Sequence, residues 1–118
     1  MSSSSTPAPP GLEIVTTNPE LEALFLDHTD KLIVVDFYAT WCGPCKMILP
    51  KFLKMANNKK FRGKVVFVKV DVDDAPEIAE KHEVEAMPTF HLFREGKVVN
   101  KMVGANDARL LTMITEHM

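Results

Sequence analysis

"DFYATWCGPCK", residues 36–46, contains the chain's two cysteines, Cys42 and Cys45, at the point where one sequence pattern gives way to another. Before the pair, KLIVVDFYA at 31–39 is an almost continuous β-branched and aromatic run, the mark of a mid-sheet strand covered on both faces. After it, from Pro44 to about Asn58, Cys45, Ile48, Leu49, Phe52, Met55 and Ala56 fall on one stripe of a helix. Pro50 removes the backbone bond to the Lys46 carbonyl, which predicts a kink there.

The same alternation continues outward. LEIV (12–15) reads as a short strand. Asn18 as cap and Pro19 in the first turn open a helix that carries Leu21, Leu24, Phe25 and His28 and ends near Asp30. KVVFVKVDV (64–72) is a second buried strand, followed by a capped amphipathic helix through Asp74, Ala75, Ile78, Ala79 and His82. PTFHLF (88–93) and KVVNKMV (97–103) flank REG as an antiparallel hairpin with Gly96 in its turn, and Asn106 caps a last helix with Leu110, Met113, Ile114 and His117 inward. Alternating strands and helices closed by a hairpin predict an α/β domain with a mixed sheet and helices on both faces. MSSSSTPAPPG (1–11) has nothing to bury and reads as a disordered Ser/Pro-rich tail, which leaves 12–118 as one domain.

With 118 residues, 46% of them hydrophobic and 25% charged, the chain suits one core. A net charge of only -2 gives no reason to expect nucleic acid or a membrane as partner, so a protein or small molecule is the expected ligand. No run approaches the roughly 18 apolar residues of a membrane span, and the N-terminus lacks the basic and apolar regions of a secretory signal. The first arginine is Arg62, against an Arg-rich transit peptide. A cytoplasmic location, with the nucleus also open to the chain, is the default expectation. Thiols there are kept reduced, so the pair reads as transient and catalytic rather than as a permanent staple.

Cysteines three apart on one helix face have Cα atoms roughly 5 to 6 Å apart, inside the disulfide window. Cys42, at the helix N-terminus, has its thiolate stabilised by unpaired N–H groups and is the expected attacking sulfur. Cys45 belongs to the buried stripe, where apolar surroundings keep it protonated until a base helps, and is the expected resolving sulfur. Pro44 has no N–H to leave unpaired in the first turn and stiffens the loop. Asp36 is a lone carboxylate in a buried strand. The turn over Ala39–Trp41 places it beneath the first helical turn on the Cys45 side, where burial raises its pKa toward neutrality and suits it to accept the Cys45 proton.

VVDFYATWCGPCK, together with VDVDD at 70–74, MPTF at 87–90 and VGA at 103–105, resembles the thioredoxin family over roughly residues 12–118, and its animal cytosolic type most closely. The resemblance implies the thioredoxin fold, a central five-stranded mixed β-sheet flanked by four α-helices. It implies protein-disulfide reductase activity with no bound cofactor and no metal, and electrons from NADPH through thioredoxin reductase. It carries over Cys42 as nucleophile, Cys45 as resolving thiol and Asp36 as the group that deprotonates Cys45. Trp41, Gly43, Pro44, Met87, Pro88 and Gly104 match the apolar surface that receives substrate. Residue statistics favour a trans bond before Pro88, whereas the resemblance implies cis, with the Met87 backbone pairing with an extended client strand. Peroxiredoxin, ribonucleotide reductase and methionine sulfoxide reductase are the client classes that the family offers, and a monomer is expected. For Lys69 two readings stay open, a solvated strand-end lysine and a group that tunes Asp36.

Three rivals can be set against this reading. A structural zinc site needs four ligands, but His28, His82, His91 and His117 are not spaced as pairs. Three of them end helical patterns, where a partly positive ring suits the dipole, and His91 alternates on a strand, so packing or surface roles are expected. An oxidant or isomerase of the same fold would carry a histidine between the cysteines, whereas Gly43-Pro44 resembles the reductant version. A redox-gated adaptor that binds partners through the patch around Trp41 remains the alternative function.

Overall fold

The computed structural model describes residues 12–118, and the tail expected over 1–11 lies outside the described residues. In chain order the elements are β1 (Leu12–Ile14), α1 (Asn18–Asp27), β2 (Leu32–Tyr38), α2 (Gly43–Asn57), β3 (Val65–Asp71), α3 (Pro76–Lys81), β4 (Thr89–Arg94), β5 (Lys97–Val103) and α4 (Asp107–His117). The five strands form one sheet in the order β1-β3-β2-β4-β5. β1 and β2 pair with β3 in parallel, and β4 pairs antiparallel with both β2 and β5. This is the five-stranded mixed sheet with four helices expected from the sequence.

β2 lies at the centre of the sheet, which explains its almost continuous apolar run. Leu32 and Val34 pack with Ile48 and Phe52 of α2 and Leu110 and Ile114 of α4. Ile33, Val35 and Phe37 point the other way, onto Leu21 and Phe25 of α1 and Ile78 of α3. Side chains alternate along a strand, so Asp36 and Tyr38 share the α2 face with Val34. α2 continues through Pro50, which stands on its exposed side.

Two helix starts differ from the sequence expectation. α1 is capped by Thr17, not Asn18: the Thr17 hydroxyl accepts the Glu20 N–H at 3.2 Å, and the Glu20 carboxylate accepts the Thr17 N–H at 3.2 Å. α3 begins after Ala75 without a side-chain cap, whereas the sequence pattern predicts a capped helix there. The turn before it is closed by Asp71, whose carboxylate accepts the Asp73 N–H and whose carbonyl accepts the Ala75 N–H. The β4–β5 turn fits the sequence: Glu95 and Gly96 have φ of 51° and 77°, as a two-residue hairpin turn with the strand twist requires.

Candidate active site

The chain leaves the end of β2, passes Ala39, Thr40 and Trp41, and enters α2 with Cys42 as its N-cap. Cys42 and Cys45 form a disulfide with Cα atoms 5.3 Å apart. Cys42 Sγ accepts the backbone N–H of Cys45 at 3.2 Å, so an unpaired donor of the first turn is aimed at the sulfur expected to become a thiolate. Overall exposure does not separate the two cysteines, which are both 5% exposed. Their neighbours do. Cys42 Sγ lies 3.6 Å from the Met87 carbonyl oxygen, on the side of the loop before β4. Cys45 lines a cavity of about 290 Å³ that also touches Asp36, Tyr38, Leu49 and Lys69.

Asp36 is 1% exposed, and its Oδ1 has no hydrogen-bond partner among the described residues. Burial pushes its carboxyl up to about 7, and the charge of Lys69 pulls the other way. A carboxyl that titrates near neutrality beside a thiol is suited to take and return a proton. Lys69 faces Asp36 directly across the β2–β3 pairing, and its ammonium lies 4.6 Å from the centre of the Tyr38 ring.

The remaining residues singled out in the sequence lie in the first turn of α2, in the loop that enters it, and where β4 begins and β5 ends. The Met87-Pro88 peptide bond is cis. Met87 packs with Ala39, Cys42 and Cys45, and the Pro88 carbonyl accepts the Gly104 N–H at 2.9 Å, tying the start of β4 to the end of β5. Gly104 has φ of 105°, a conformation that side-chain-bearing residues rarely adopt. Pro44 stands in the first turn of α2, and an added Cβ at Gly43 would meet nothing within 4 Å. Trp41 is 66% exposed, and its Nε1–H donates to Asp73 Oδ2 at 2.9 Å.

Asp73 and Tyr38 carry no distinguishing signal in the sequence. VDVDD shows a turn rich in aspartate, but no pattern links Asp73 to a tryptophan 32 residues earlier. Tyr38 reads as one more aromatic residue of a strand.

The histidines are positioned differently from the expectation in one respect. His82 closes α3, but burial, followed by the charge of Lys81, pushes its pKa down, so the ring there is kept neutral rather than partly positive. It lies against His91, with ring centres 6.1 Å apart. Among the described residues, no group of three or more His, Cys, Asp or Glu side chains could hold a metal ion, and no helix is long and apolar enough to cross a membrane.

The thioredoxin family model matches residues 13–116. Thioredoxin from Oryctolagus cuniculus is 54% identical over 87 residues, covering 74% of this chain and 80% of that protein. Thioredoxin-1 from Saccharomyces cerevisiae is 54% identical over 81 residues, covering 69% and 76%. Among solved structures, Fasciola hepatica thioredoxin superposes with a TM-score of 0.85 at 44% identity, covering 90% of this chain and 99% of that one.

Proposed function

The chain belongs to the thioredoxin family and is a thiol–disulfide oxidoreductase that reduces protein disulfides, and on that premise we propose how its residues divide the work. Cys42 is the nucleophile. Its thiolate attacks one sulfur of a client disulfide, expels the other as a thiolate and leaves a mixed disulfide. Cys45 passes its proton to Asp36 and attacks the Cys42 sulfur, releasing the second client thiolate. Two electrons thereby move to the client, the Cys42–Cys45 disulfide remains, and the Asp36 proton is available to the departing sulfur. The observation that carries this division is the difference in neighbours, with Cys42 against the Met87 carbonyl and Cys45 over the cavity that contains an unpartnered Asp36.

Clients bind in extended form along the Met87 backbone, with Trp41, Pro88 and Gly104 forming the contact surface. Main-chain pairing tolerates many sequences, which suits a broad range of clients. Gly43 and Pro44 favour the reductant form of the loop, and Lys69 adjusts Asp36. Thioredoxin reductase, fed by NADPH, restores the dithiol. Peroxiredoxin, ribonucleotide reductase and methionine sulfoxide reductase are the client classes to assay first. The protein works as a monomer in the reducing cytoplasm, where a dithiol is maintained. Residues 12–118 constitute the working domain.

The decisive experiment follows NADPH oxidation in the presence of thioredoxin reductase and an accessible protein disulfide. The parent turns over, Cys42→Ser abolishes turnover, and Cys45→Ser accumulates client mixed disulfides. Turnover by Cys42→Ser at the parent rate refutes the assignment. Partner capture that survives loss of both cysteines identifies an adaptor instead.

A further inference from the structure

Asp36 and Lys69 are register partners on adjacent parallel strands and share the α2 face of the sheet, an arrangement that invites an ion pair. None forms: the ion pairs among the described residues are Lys51–Asp107 and Lys81–Glu22. The Lys69 ammonium instead lies over the Tyr38 ring, 4.6 Å from its centre, within the range of a cation–π contact. Tyr38 stands two residues beyond Asp36 on β2 and lines the same cavity. Asp36 Oδ1 is left without a partner.

We propose that Tyr38 is a positioning residue, which holds the Lys69 ammonium off Asp36 and thereby keeps the buried carboxyl unpaired. The flexible lysine stem can reach either partner, and the ring face decides between them. The other charged groups around the ring act in the same sense. Burial, then Asp71 opposite it, Asp36 and Asp74 all disfavour ionisation of the Tyr38 hydroxyl, so the ring stays neutral and its face stays attractive to a cation. Lys46, on α2, is the remaining charged residue that lines the cavity. An ammonium seated on Asp36 would hold the carboxylate ionised well below neutrality and weaken it as a base, so the ring keeps Asp36 useful. That consequence rests on the role proposed above for Asp36, whereas the placement of Lys69 does not.

The test is a carbon-13 NMR titration of the Asp36 carboxyl in the reduced protein. Tyr38→Leu lowers its midpoint by about one pH unit, the scale of a newly seated opposite charge. Tyr38→Phe, which keeps the ring, leaves the midpoint in place. In a Lys69→Met background, Tyr38→Leu no longer lowers it. An unchanged or raised midpoint in Tyr38→Leu, or the same fall without Lys69, overturns the proposal. A readout that needs no variant is the ring-current shift of the Lys69 ε-methylene protons in the parent, and its absence also overturns the proposal. Separately, if Asp36→Asn resolves mixed disulfides at the parent rate, the base role fails while the titration still decides where Lys69 sits.

Discussion

Trp41, exposed next to Cys42 in the chain, is tethered by its indole N–H to Asp73 Oδ2 at 2.9 Å, so the turn before α3 fixes the orientation of the largest side chain of the surface proposed above to receive clients. A ring fixed before binding costs less to immobilise when a client arrives. Asp73→Ala is expected to raise KM for protein clients about threefold, the equivalent of one modest hydrogen bond, and to leave kcat unchanged. Steady-state kinetics with a protein disulfide, paired with Trp41 fluorescence anisotropy, checks this. An unaltered KM with a freely mobile indole would show that the tether has no part in recognition.

Asp36 weakens the fold that it serves. In the unfolded chain its carboxyl titrates near 3.8, whereas in the folded chain burial moves it to about 7. Between those values the folded state holds the extra proton, so stability falls as pH rises from about 4 to 7 and stays low above that. Asp36→Asn lacks this penalty. At pH 8 it is expected to be more stable than the parent by up to about 4 kcal/mol, at about 1.4 kcal/mol per pH unit between the two titrations, with little difference near pH 4. Urea melts at the two pH values measure it, and an equal difference at both would contradict the account.

His91 has the opposite dependence. It is 3% exposed, packed against Phe37 and His82, and burial followed by the charge of Lys101 pushes its pKa from 6.5 to about 4. Below pH 6.5 the unfolded state takes up a proton that the folded state refuses, so stability is lost as pH falls from about 6.5 toward 4, by at most roughly 3 kcal/mol. Because the Asp36 window overlaps, the slope is best isolated in an Asp36→Asn background. There, His91→Gln should flatten the acid limb of the stability curve, and an unchanged limb would assign it to other groups.

The capping box at the start of α1 gives a local test. Thr17→Ala should destabilise the fold by about 1 kcal/mol, while Asn18→Ala, outside the cap, should cost less. Thermal melts of the two variants rank them, and the reverse order would return the cap to Asn18.

What could be read from the sequence was what depends on neighbours along the chain. LIVVDFY announces a strand buried on both faces, and strict alternation along it places Asp36 under α2. Two cysteines three apart at a strand–helix junction fix their own separation. The Thr17 cap was also written locally, as T-x-x-E over 17–20, but Asn18-Pro19 gave a competing signal. The contacts that could not be read join distant segments. Trp41 meets Asp73, His82 meets His91, and the Lys69 ammonium lies over Tyr38, each through packing that no periodicity encodes. The cis bond before Pro88 goes against residue statistics and was signalled only by the family resemblance.

The two sulfurs are confined to a single turn of α2, from its N-cap to its third residue, with Cα atoms 5.3 Å apart, the spacing that helical neighbours three apart have in any case. The bond between them can therefore form and break with little movement of the backbone that carries it. On the function proposed above, a partner that tells the full carrier from the empty one does so by chemistry within that one turn, and the surrounding sheet and helices hold the turn in place.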